Sequence, residues 1–257
     1  MLYLLQSLFI NNWGVLRIFK SITIRASIAF IIAFVFMLIF GKPFIKWLKK
    51  KKYGDTAREE GPQSHFSKSG TPTMGGLLII GAIIFSTLIA GNFTNKFIIF
   101  LFIITILFTT IGFYDDYLKL TKHKNGLSGK KKILGQLIIT GLTFAFICKY
   151  GIINKTLDFS IVNPLIKGSF LYITPVLFFV FMLFVIIGSS NAVNLTDGLD
   201  GLVSGPIIVV SVTLLIITYL TGHYEYAKYL NLYYVRESAE ITVYLASVIG
   251  ALIGFLW

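Results

Sequence analysis

The chain has 257 residues, 56% of them hydrophobic and 13% charged, and a mean hydropathy of +0.81. Those values exclude an ordinary soluble domain and define a membrane protein. A net charge of +12 would suit a nucleic-acid binder, but the basic residues gather in connections between apolar runs. They are therefore read as a topology signal, and no nucleic-acid partner is expected.

A hydrocarbon core of about 30 Å takes about 20 helical residues to cross. Seven apolar runs approach that length, at 22–41, 74–91, 97–114, 133–148, 170–188, 202–220 and 239–257. Continuous runs favour helices over the alternating pattern of a barrel. The expected fold is all-α, a polytopic transmembrane helical bundle forming a single integral membrane domain.

The N-terminal "MLYLLQSLFINNWGVLRIFKSITIR" has no basic start followed by a cleavage-like site. It reads as an interfacial amphipathic segment leading into the first span, not as a signal peptide. Of the 23 Lys and Arg residues, eight fall within 42–68 and six within 119–132. With alternating crossings both clusters lie on one side, which the positive-inside rule makes the cytoplasm. The expected cytoplasmic loops are about 42–73, 115–132 and 189–201, with the N-terminus outside.

At the start of the second span, "KSGTPTMGG" pairs Thr71 with Pro72, a helix cap followed by a first helical residue. The positive end of that helix then faces the cytosol, with Lys68 beside it and Gly75 and Gly76 allowing close approach, an arrangement open to phosphate. A plain capped helix whose glycines pack on a neighbour explains the same stretch.

The third span ends in "GFYDDYLK", where Asp115 and Asp116 oppose the negative end of the helix dipole. Lys119 offers local compensation, and the alternative is a divalent cation such as magnesium, which takes carboxylate oxygens with substrate phosphate. Adjacent helical residues point about 100° apart, so a complete metal site calls for oxygens from elsewhere. The connection after the fifth span, "NAVNLTDGLDGL", offers Asn191, Asn194, Asp197 and Asp200 at every third residue. On one helix these would spiral by about 60° per step, whereas a glycine-rich turn would let several converge.

The remaining polar features carry less. The three histidines, at 65, 123 and 223, lack ligand-like spacing, and Cys148 reads as a packing residue that excludes any disulfide within the chain. The connection "GIINKTLDFSIVNPLIKG" alternates apolar and turn residues and suits a short hairpin. The middles of the spans hold no acidic residue, which argues for surface chemistry over a transporter's midplane site.

Taken in order, "SKSGTPTMGG", "GFYDDYLK", "GLSGKKKILGQ" and "NAVNLTDGLDGL" closely resemble the phospho-N-acetylmuramoyl-pentapeptide transferase family, within the polyprenyl-phosphate sugar-1-phosphate transferases. The resemblance implies transfer of phospho-MurNAc-pentapeptide from UDP-MurNAc-pentapeptide to undecaprenyl phosphate in the bacterial cytoplasmic membrane, giving lipid I and UMP with Mg2+ required. It assigns catalysis to Asp115, Asp116 and Asp197, with Asp115 and Asp116 at the metal and Asp115 preferred for the lipid phosphate. Substrate contacts are carried by Lys68, Thr73, Lys131, Asn191, Asn194 and Asp200, and the family leaves room for a homodimer. The sibling reading is GlcNAc-1-phosphate transfer, which is not expected to carry "GTPTMGG". The family also has about ten spans, an "NxxPAxVFMGDxGS"-like loop and a His-rich loop, none of which fits after the seven runs here. The metal site is therefore expected to be incomplete, and the sequence leaves open whether this chain turns over.

Overall fold

The computed structural model describes residues 1–3, 14–50, 74–122, 126–154, 159–162, 170–196 and 202–257. A short 3-10 turn at Gly14–Lys20 leads into α1 (Ile22–Lys50), followed by α2 (Gly75–Ala90), α3 (Lys96–Lys122) and α4 (Gly129–Asn154). Two short strands, β1 (Ser160–Val162) and β2 (Phe170–Tyr172), precede α5 (Pro175–Thr196) and α6 (Ser204–Thr221). A six-residue helix α7 (Tyr224–Tyr229) then leads to α8 (Ile241–Leu256), which a 3-10 turn at Ser238–Glu240 introduces. Each of the seven expected runs carries a helix. Among the described residues six helices are long and apolar enough to cross a membrane, and α2 is a shorter apolar helix of 16 residues.

Several helices depart from the hydropathy boundaries. α1 continues past Pro43 to Lys50, where its terminal Lys49 and Lys50 suit the negative end of the dipole. α2 begins at Gly75, because Met74 has φ 73°, a left-handed conformation that no helix passes through. The expected cap and first helical residue, Thr71 and Pro72, lie outside the described residues.

The fifth run is corrected at its start. Its first residues, Phe170–Tyr172, form β2, paired antiparallel with β1 so that Ile161 faces Leu171. The expected hairpin is thus present but reaches further than its quoted segment. The helix starts only at Thr174 and Pro175, where the Thr174 hydroxyl accepts from the Leu177 N–H at 3.3 Å and Pro175 needs no donor.

α8 is the hub. Two thirds of its apolar window is buried, against 6% for α5, and it packs on α1, α2 and α6. The contact with α1 is close because Gly250 and Gly254 form a small-xxx-small face. A Cβ at Gly250 would overlap the Phe30 carbonyl, and one at Gly254 would lie 2.7 Å from Met37 Cβ. Across from them, Ala26, Ala29 and Ala33 of α1 are buried.

The ends of the helices sort into two groups. At one end Arg25 (α1) forms a bidentate ion pair with Glu240, with Nη1 donating to Oε2 at 2.8 Å and to the Ala90 carbonyl at 3.3 Å. Asn95 starts α3 at the same end: its Oδ1 accepts from the Phe97 and Ile98 amides, and its Nδ2 donates to the Glu237 carbonyl. The other end carries the aspartates and the lysines that open α4.

Candidate functional site

α3 has 27 residues, and at 1.5 Å per residue the aspartates stand about 30 Å from its start, the thickness of a hydrocarbon core. The helix runs straight through both residues to Lys122, so their side chains leave it in different directions. Asp115 is 7% exposed. Its Oδ1 accepts the Leu127 N–H at 2.7 Å and its Oδ2 pairs with Lys119 Nζ at 2.8 Å. Asp115 therefore holds the α3–α4 connection against the end of α3. Gly126 makes that approach feasible, since it has φ 76° and a Cβ there would lie 2.5 Å from Asp115 Oδ1.

Asp116 also pairs with Lys119 Nζ, at 3.1 Å, but it faces a different space. It stands at the mouth of an apolar groove of about 460 Å³ between α2, α3 and α8, lined along α3 by Leu101, Thr105, Phe108 and Gly112. Leu77 and Ile80 of α2 form the opposite wall, and Met74 and Gly76 flank the mouth. Tyr244 of α8 also lines it, its hydroxyl 2.6 Å from that of Thr105. Because the α3 residues recur at helical spacing, the groove is one face of α3 left uncovered.

Although they leave adjacent positions, the two carboxylates converge on one cation, the Lys119 ammonium. The pair therefore fits a hard-oxygen site, but among the described residues Asp115 engages both its oxygens and Asp116 only one. Among the described residues no third His, Cys, Asp or Glu joins them.

α4 opens with Lys130, Lys131 and Lys132 in its first turn and no acidic residue there. Cations at the positive end of a helix dipole repel it, an arrangement that an incoming anion would relieve. Lys131 is exposed. Two turns in, Gln136 is fully buried and links α4 to α5: its Nε2 donates to Ser190 Oγ at 3.0 Å, and its Oε1 accepts from Asn191 Nδ2 at 3.1 Å.

The expected loop from residue 189 is corrected here, because α5 continues through Asn191 and Asn194 to Thr196. Asn194 is exposed one turn beyond Asn191. Lys68, Thr73, Asp197 and Asp200 lie outside the described residues. No hydrogen bond joins the aspartates to Asn191 or Asn194 among the described residues. What unites them is the shared end of the bundle, tied by Asp115 to Leu127 and by Gln136 to Asn191.

Three features carry no assignment in the sequence reading. Gln136 falls inside a recognised motif, and the available signal was an amide within an otherwise apolar span. The α3 stripe was legible as helical spacing ending on Asp116. The Arg25 and Glu240 pair is separated by 215 residues, so no local pattern could join its members.

These observations define a multi-pass helical membrane protein with an acid, amide and lysine cluster at one end of its bundle. The glycosyl transferase family 4 model matches residues 97–257, and the phospho-N-acetylmuramoyl-pentapeptide-transferase signature 1 matches residues 68–80. Phospho-N-acetylmuramoyl-pentapeptide-transferase of Fusobacterium nucleatum is 46% identical over 243 residues, covering 94% of this chain and 67% of its own length. The Leptospira biflexa protein of that name is 42% identical, covering 96% of this chain and 69% of its own length. That of Rickettsia bellii is 40% identical, covering 100% of this chain and 71% of its own length. The chain belongs to the phospho-N-acetylmuramoyl-pentapeptide-transferase family.

Proposed function

We propose that this chain transfers phospho-MurNAc-pentapeptide from UDP-MurNAc-pentapeptide to undecaprenyl phosphate at the cytoplasmic face of the bacterial inner membrane, an early step of peptidoglycan synthesis. The observation that carries the reading is the apolar groove with Asp116 at its mouth. Such a groove suits a lipid whose hydrocarbon chain lies in the bilayer and whose charged head stays at the surface.

An oxygen of the acceptor phosphate attacks the phosphorus that bears the sugar. The bond to the UMP leaving group breaks as the new phosphoanhydride forms, so the products are UMP and a lipid diphosphate. Both reactants are anions, and phosphoryl transfer of this kind is mainly a matter of positioning and charge neutralisation.

In this reading Asp116 orients the acceptor head group, and Asp115 keeps Lys119 and the Leu127 amide in place beside it. Lys130, Lys131 and Lys132 attract the donor diphosphate. Asn191 and Asn194, with Lys68, Thr73, Asp197 and Asp200 by motif, hold the nucleotide end. Mg2+ would be held by Asp116, with Asp115 beside it, and would supply charge neutralisation on the phosphates.

The test is UMP release from the purified chain in lipid vesicles containing undecaprenyl phosphate. UDP-MurNAc-pentapeptide is expected to support release, and UDP-GlcNAc is not. Chelation of divalent metal is expected to stop release and Mg2+ to restore it. Equal release from UDP-GlcNAc would favour the GlcNAc-1-phosphate reading, while release insensitive to chelation would remove the metal.

A further inference from the structure

We infer that Gln136 is a positioning residue, fixing the Asn191 carboxamide so that its Oδ1 is presented to the nucleotide end of the donor; this rests on the proposed function. The hydrogen bonds determine which way both amides face. The Ile187 carbonyl can only accept, so the Asn191 atom 2.9 Å from it must be the NH2 group. That group's second proton goes to the Gln136 atom at 3.1 Å, which must then be Oε1. Gln136 Nε2 is thereby directed to Ser190 Oγ at 3.0 Å.

The chain of constraints begins at a backbone carbonyl and leaves no freedom to flip either amide. Asn191 spends both protons within the bundle, and among the described residues its Oδ1 accepts none. An acceptor oxygen is thus held in one orientation at the end of α5, one turn before the exposed Asn194. Gln136 has no surface exposure, so it contacts no substrate itself and acts through Asn191.

A chain of this kind predicts non-additive effects. The measurement is UMP affinity of the purified chain in nanodiscs by calorimetry, with melting temperature recorded for each variant. Asn191→Ala and Gln136→Leu are each expected to weaken UMP binding by about tenfold, as for one lost hydrogen bond of about 1.4 kcal/mol. The double variant is expected to bind no more weakly than Asn191→Ala. Gln136→Glu keeps an acceptor for Asn191 and can take the Ser190 hydroxyl proton, so it is expected to retain affinity within about threefold of wild type while Gln136→Leu does not.

Losses that multiply in the double variant would overturn the inference, as would wild-type affinity in either Gln136→Leu or Asn191→Ala. If Gln136→Leu does not fold, tenfold weaker binding by a folded Gln136→Glu would overturn it. A wild-type chain that binds no UMP at millimolar concentration would overturn the proposed function, and this inference with it.

Discussion

Asp115 and Asp116 share a cation and adjoin in the sequence but differ in their surroundings. Asp115 is buried and fully engaged by Lys119 and the Leu127 amide, whereas Asp116 pairs with Lys119 through one oxygen and lines the groove. Asp116→Asn is therefore expected to lower turnover by at least about a hundredfold, the scale of losing one preorganised electrostatic contact, with little change in melting temperature. Asp115→Asn should act more through structure: it loses the Lys119 ion pair, and we expect a lower melting temperature with a smaller fall in turnover, about tenfold. Equal turnover in both variants would contradict this division. Gly126→Ala tests the same turn from its other side. It places a Cβ against the Asp115 carboxylate at a left-handed φ, and a cost of about 1 to 3 kcal/mol is expected in unfolding measurements.

The element that most governs the assembly is α8, and its contact with α1 has two separable parts. One is polar: Arg25 is fully buried against Glu240, which sits just before α8. Glu240→Ala would strand the guanidinium, and a loss of about 3 to 5 kcal/mol is expected in detergent unfolding. An Arg25→Met, Glu240→Leu double variant should recover most of it, because removing both charges leaves no buried charge unpaired. The other part is close packing at Gly250 and Gly254. Gly250→Leu should separate the two helices and lower the melting temperature, with no recovery from changes at Arg25.

At the scale of the whole molecule, seven helical runs and the clustering of carboxylates and amides at one end were legible in the sequence, because apolar length and charge position are local signals. What was not legible depended on contacts far apart in the chain or on how helices end. The left-handed Met74 moved the start of α2 to Gly75, and Thr174 and Pro175 placed the start of α5 after a strand. The groove, the Gln136 link and the Arg25 pair each required knowing which helices are neighbours. The difference between the aspartates is the clearest example, since the sequence shows them only as adjacent and only the structure shows Asp115 buried and Asp116 lining the groove. The most direct test is UMP release in vesicles holding undecaprenyl phosphate, with wild-type and Asp116→Asn chains compared. Release is expected to need both UDP-MurNAc-pentapeptide and the lipid, and to fall by at least about a hundredfold in the variant. Undiminished release from Asp116→Asn, or no donor-dependent UMP from the wild type, would contradict this expectation.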